Sequence, residues 1–324
     1  MLKVLSAMLP LIVALGVTAA EAQTFPNKPV TIVVPFAAGG PIDTLTRIMA
    51  ERMKESLGQQ VLVENTAGAA GSIAAGRVAR ATPDGTTLIT ALWGTHVVNA
   101  AIYKLNYDVQ KDFEPVALIS SNPLVIVSKK DLPAGNLIEL VTWLKANPGK
   151  ASQGTSGVGS AGHIGGAFFQ NLTGTQFQFV PYRGLGPAMQ DLVAGNIDLI
   201  FDTPATSLPQ VKAGTINAYA ITGKTRLPAA PGIPTVDEAG VPGLHISTWT
   251  AFFAPKGTPK EAVAKLSAAA MEALSDPVLR KRLAEIGQDI YPREQQTPDA
   301  LAALQKADLE KWTPIIKATG IKAE

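Results

Sequence analysis

Short β-branched runs, glycine-rich loops and amphipathic helices alternate along this chain, and the alternation starts again half-way. Val30–Pro35 (VTIVVP) reads as a buried strand. Gly39-Gly40 follows, then a helix with Ile42, Leu45, Met49 and Met53 at helical spacing, stopped by Gly58. Gln60–Glu64 reads as a strand, Ala67–Gly71 as a loop of small residues and Ser72–Ala81 as a helix. Pro83-Asp84-Gly85 then turns into a third strand, Thr86–Leu92. This β-α-β-α-β order requires parallel strands with right-handed crossovers.

After a long apolar stretch, Val116–Lys129, a second such unit begins with a helix at Leu137–Ala146. Strands are expected at Lys150–Thr155, Phe177–Tyr182, Ile197–Phe201 and Ile216–Thr222. Helices are expected near His163–Leu172, Pro187–Ala194 and Leu208–Ala213. Residues 226–247 are rich in Pro and Gly, Thr248–Ala254 is strand-like, and three helices close the chain, the last over Pro298–Thr319. The pattern predicts two α/β lobes with a parallel-rich sheet in each. The chain would cross between them near 120–128 and 225–250, so that residues 23–121 and 248–324 form one lobe and 122–247 the other. Two crossings make a hinge.

The first 22 residues have the form of a signal peptide. Lys3 supplies the positive start, Leu5–Val17 the apolar run, and Ala20-Glu21-Ala22 the small–x–small cleavage site, predicting a mature start at Gln23. That run is shorter than the roughly 20 residues a spanning helix needs. The expected location is the periplasm, free of a lipid anchor because the chain has no cysteine. The same absence excludes disulfides, Cys-ligated zinc, iron–sulfur clusters and a Cys nucleophile. A net charge of +2, with no basic cluster, argues against a nucleic-acid partner.

Two loops carry the chemistry. Pro35–Asp43 (PFAAGGPID) and Gly154–His163 (GTSGVGSAGH) each link a strand to a helix. Such loops offer free N–H groups and the positive end of a helix dipole at the carboxyl edge of a parallel sheet, where ligands of open α/β sheets bind. The glycines also serve tight turns and close helix–strand packing, and the sequence alone leaves both roles open. Gly157, Gly159 and Gly162 match G-x-G-x-x-G, but the acidic companion about 20 residues on is missing. Val158 breaks the G-x-S-x-G elbow, and Ala218 stands where a P-loop before Gly223-Lys224-Thr225 needs glycine. His96, His163 and His245 are too scattered for a zinc motif, so no metal and no cofactor is expected, and no catalytic residue is assigned.

Together these stretches resemble the substrate-binding proteins of tripartite tricarboxylate transporters, the Bug or TctC-like family. The resemblance rests on VPFAAGGPID (34–43), LGQQVLVEN with GAAG (57–71), TPDGTTL (82–88), GTSGVGSAGH (154–163), VPYRG (180–184), DLVAGNIDLIFD (191–202), IPTVDEAGVPG (233–243) and APKGTP (254–259). It implies a two-lobed periplasmic binding fold of the Venus-flytrap, type II-like kind. It also implies a receptor, not an enzyme, that closes on a small organic carboxylate and delivers it to membrane transporter subunits. Di- and tricarboxylates, acidic amino acids and aromatic acids all qualify as solutes. A sensor presenting its closed form to a membrane kinase is the alternative, and a monomer is expected. Carried over, the ligand-binding positions are Phe36, Ala37, Ala38, Gly39, Gly40, Asp43, Trp93 and Thr95 in one lobe, and Ser156, Gly157, Gly159, Ser160, His163 and Asp202 in the other. The chain departs from the family's usual Pro-Gly-Gly at Ala38-Gly39-Gly40 and from Asn-Arg-Pro-Gly-Ala-Gly-Gly at Asn65–Gly71.

Overall fold

A computed structural model describes residues 25–182, 184–318 and 321; the expected signal peptide and Arg183 lie outside the described residues. The β-branched run Val30–Val34 forms β1, buried on both faces as an apolar run without alternation requires. Helix α1 (Pro41–Leu57) opens with Pro41 in its first turn and ends at Gly58, whose φ of 64° is the left-handed stop that glycine adopts freely. There follow β2 (Val61–Asn65), α2 (Ser72–Ala79) and β3 (Thr87–Leu92). A single π-helical turn, Gly94–Val98, then runs into α3 (Asn99–Ile102).

Next come β4 (Phe113–Pro123), β5 (Val125–Lys129), α4 (Leu137–Ala146), β6 (Ser152–Thr155), α5 (Ala161–Thr173), β7 (Gln178–Pro181), α6 (Leu185–Val193), β8 (Leu199–Asp202), α7 (Pro204–Ala213) and β9 (Ile216–Ile221). The chain closes with β10 (Ser247–Pro255), α8 (Lys260–Ser275), α9 (Pro277–Glu285), β11 (Asp289–Ile290) and α10 (Pro298–Ala318).

These strands make two sheets, in the orders β11-β4-β10-β3-β1-β2 and β7-β6-β8-β5-β9. Each sheet holds a parallel run of three, β3-β1-β2 in one and β7-β6-β8 in the other. The remaining pairings are antiparallel, so both sheets are mixed. The crossing strands account for this: in the first sheet β4 leaves the lobe and β10 returns beside it antiparallel, and in the second β5, which enters from the first lobe, runs antiparallel to β8 and β9.

The crossings fall at Leu124 and Ile246, and Thr222 ties them together. Its buried hydroxyl accepts from the Leu124 amide at 2.8 Å and donates to the Ile246 carbonyl at 2.5 Å. One apolar core runs through this hinge, joining Trp93, Ile102 and Trp312 of the first lobe to Phe169 and Phe201 of the second. Two separate cores lie on the other faces, one under α1 and α8 and one under α6. Among the described residues no helix is long and apolar enough to cross a membrane.

Candidate functional site

The carboxyl ends of the parallel strands gather the loops. After β1 come Phe36, Ala37, Ala38 and Gly39, all exposed, and Gly40 caps α1 without help from a side chain. Asp43 holds this loop from within. Its Oδ2 accepts from the Gly39 amide at 2.8 Å and from Arg47 Nε at 3.0 Å, and its Oδ1 accepts from Asn65 Nδ2 at 3.0 Å. Burial alone would raise the Asp43 carboxyl, but the bonds from Arg47, Gly39 and Asn65 outweigh it and keep the pKa below the usual value. Asp43 is therefore a brace: its oxygens are engaged inside the lobe. Among the described residues no protein acceptor takes the amides of Ala37 or Ala38.

Beyond β3, Trp93 and Thr95 are fully buried rather than lining an open groove. Trp93 meets Trp312 edge to face at 5.4 Å, and its indole N–H has no partner among the described residues. Thr95 sits in the π-helical turn, its hydroxyl bonded to Leu92 at 3.0 Å and to His96 Nδ1 at 2.9 Å. His96 is stacked on Phe253, and full burial drives its pKa down to about 3, so it is neutral.

In the second lobe, Ser156 is exposed and Gly157 half-buried. The glycine amides expected to face an anion are engaged inside the loop in this conformation: Gly157 with Thr155 Oγ1 at 3.4 Å and Gly159 with His163 Nδ1 at 3.1 Å. Ser160 caps α5 by accepting from the His163 amide at 3.3 Å. Because Nδ1 accepts, the His163 proton sits on Nε2, and burial lowers its pKa. Asp202 ends β8. Burial lifts its carboxyl to about 7, against the opposing pull of the Thr203 amide and the Thr206 hydroxyl, and neither oxygen has a well-formed hydrogen bond. A carboxyl this enclosed is neutral or hungry for a donor. Tyr182 donates to Asp191 at 2.6 Å.

The structure joins the two sets at a seam that the sequence did not disclose. A Cβ on Gly71 would lie 2.7 Å from Thr95 Cγ2 and 2.9 Å from Pro35, so the three loops of the first lobe touch. A Cβ on Gly159 would lie 2.2 Å from Ile102 Cδ1, so the second-lobe loop seats against α3. Phe168 on α5 meets Trp312 on α10 at 5.5 Å across the same side. The missed residues are Val98 and Ile102, and their i, i+4 apolar spacing was the available signal. Among the described residues no group of three or more His, Asp or Glu could hold a metal ion.

Comparison with known proteins places this geometry. The pattern of tripartite tricarboxylate transporter family receptors matches residues 45–321. A UPF0065 protein of Agrobacterium vitis is 42% identical over 302 residues, covering 93% of this chain and 87% of the relative. MatC from Rhodopseudomonas palustris with bound malate superposes with a TM-score of 0.81 at 38% identity, covering 90% of this chain and 100% of that one. An R. palustris protein with adipate gives 0.82 at 34% identity, covering 92% and 99%. The periplasmic binding protein BugD gives 0.80 at 36% identity, covering 93% and 100%. The resemblance read from the sequence and the fold it implied thus hold, and the chain belongs to the tripartite tricarboxylate transporter receptor family, whose members are periplasmic solute-binding proteins and not enzymes.

Proposed function

We propose that this protein is a periplasmic receptor that closes its lobes, residues 23–121 with 248–324 and 122–247, on a small carboxylate and delivers it to transporter subunits in the membrane. The observation that carries this reading is the meeting of loops from both lobes at one seam, with Gly159 seated on Ile102. The amides of Ala37 and Ala38, exposed residues in the loop that leads into α1, supply donors for one carboxylate beside the positive end of the helix dipole. Neutral donors hold an anion without an ion pair that would slow its release. The neighbours with malate and adipate support a dicarboxylate as ligand.

On binding, Gly157 and Gly159 would exchange the internal acceptors they hold in this structure for the second end of the solute. His163, which takes the Gly159 amide, is then a positioning residue, and Phe36 at the loop tip packs on the solute's carbon chain. We further propose export with cleavage after Ala22 and function as a monomer. Thermal unfolding of ligand-stripped protein against a panel of carboxylates tests the reading. A ligand at 100 times its Kd raises stability by about 2.7 kcal/mol. A hit confined to one class names the solute, and silence across mono-, di- and tricarboxylates and acidic amino acids removes the proposal. Intact mass of the periplasmic protein tests the start at Gln23. Loss of carboxylate uptake on deleting the permease tests delivery.

A further inference from the structure

A groove of about 790 Å³ lies between the lobes, away from the glycine loops. One wall is Leu208 on α7 with Ala230 and Ile233 of the loop after β9; the other is Ala284 on α9 with Gln288 before β11. The sheet orders fix its position. In the first lobe, β11 lies on one side of the crossing strands β4 and β10, and the loop-bearing strands β3, β1 and β2 lie on the other. In the second lobe, α7 leads from β8 across β5 to the far edge strand β9, away from β6 and its glycine loop. The cleft and the groove therefore sit on opposite sides of the hinge.

At the groove's inner end the two lobes touch. A Cβ on Gly287, whose φ is 74°, would lie 3.0 Å from the Ala205 amide nitrogen, so the backbones already meet there. That contact and the stitched crossings at Thr222 form a fulcrum. In this structure Trp93 and Asp202 on the cleft side are fully buried, Phe36–Gly39 and Ser156 in its loops are exposed, and the groove on the other side of the hinge holds its full volume.

We propose that the groove is the counterpart of the cleft: it narrows when the lobes part and widens when they close, so the bulk of its lining sets the open–closed balance and thereby the affinity. This rests on the reading that closure captures the solute. A side chain that fits only the wide groove disfavours the open form. Apparent affinity is the intrinsic affinity scaled by the competent fraction, so a wedge tightens binding without touching the ligand.

Ala284→Trp and Leu208→Trp, one on each wall and both on helices, test this. Wild type and variants are compared by small-angle scattering without ligand and by calorimetric titration with malate and with adipate. Both variants are expected to be more compact than unliganded wild type, and to bind whichever acid wild type binds about tenfold more tightly. Unchanged scattering and affinity, or weaker binding, overturns the inference while leaving the receptor reading intact. Should wild type bind neither acid, the dicarboxylate reading loses its support, and compaction without ligand still decides the hinge inference. Circular dichroism checks folding, and if one variant fails to fold the opposite wall decides.

Discussion

Asp202 offers a quantitative test because its burial is complete and its partners are poor. Its carboxyl rises from 3.8 to about 7 on folding. Below pH 4 the group is protonated in both the folded and the unfolded chain and contributes nothing. As pH rises from 4 to 7 the unfolded chain ionises and the folded one does not, so stability falls. Above 7 both ionise and the loss is complete. Three pKa units correspond to about 4 kcal/mol. Asp202→Asn removes this dependence but buries an amide whose N–H groups cost about 1–3 kcal/mol if unpaired. The variant should therefore be more stable than wild type at pH 8, by about 1–3 kcal/mol after that cost. The advantage should shrink and then reverse as pH falls to 4. Urea unfolding of both proteins at pH 4, 6 and 8, without ligand, measures the difference with all other titrations cancelling. A pH-independent difference would refute the account of Asp202 as a buried carboxyl without adequate donors.

Other perturbations probe the loops, the hinge and the seam. Gly159→Ala must place a methyl against Ile102 at a φ of 77°, so it should cost about 2 kcal/mol or more in thermal unfolding and weaken carboxylate binding. Asp43→Ala removes the acceptor for Gly39, Arg47 and Asn65 and should cost about 1–3 kcal/mol at pH 7. Because the folded Asp43 pKa is depressed, wild type's advantage over that variant should fade as pH falls below 4, which unfolding at pH 7 and 3 would show. Thr222→Val leaves the Leu124 amide without its acceptor and should cost about 1–3 kcal/mol in urea unfolding. Trp312→Ala empties the contact between Trp93 and Phe168 and should cost about 3–5 kcal/mol.

The α/β alternation was legible because it is local. A β-branched run, a stop at Gly58 and a proline at a helix start each announce themselves within a few residues. The restart of the pattern after Lys129, with a helix at Leu137–Ala146, likewise predicts a second sheet. What was not legible depends on contacts between distant residues. The first sheet is mixed because β10 pairs with β4, well over 100 residues away, and with β3; the second is mixed because β5 runs antiparallel to β8 and β9.

Helix α7 begins at Pro204, before the expected Leu208, with Thr203 at its cap and Pro204 in its first turn, and it passes through Pro209. The turn at Gly94–Val98 has no periodic signature. At the site, the loops were found as loops, but the internal uses of Asp43, Gly157 and Gly159 depend on Asn65, Thr155 and His163 reaching back to them. Trp93 and Asp202 were expected at strand ends, where they stand; that both would be fully buried follows only from how the lobes meet.

In the proposed complex, loops from both lobes hold a single solute molecule between them. Amide NMR of glycine-labelled protein titrated with the strongest acid of the panel tests this most directly. Gly39 and Gly40 in one lobe and Gly157 and Gly159 in the other should shift together, saturating at one equivalent. Shifts confined to one lobe, or glycine resonances unmoved while the acid binds elsewhere, would contradict it.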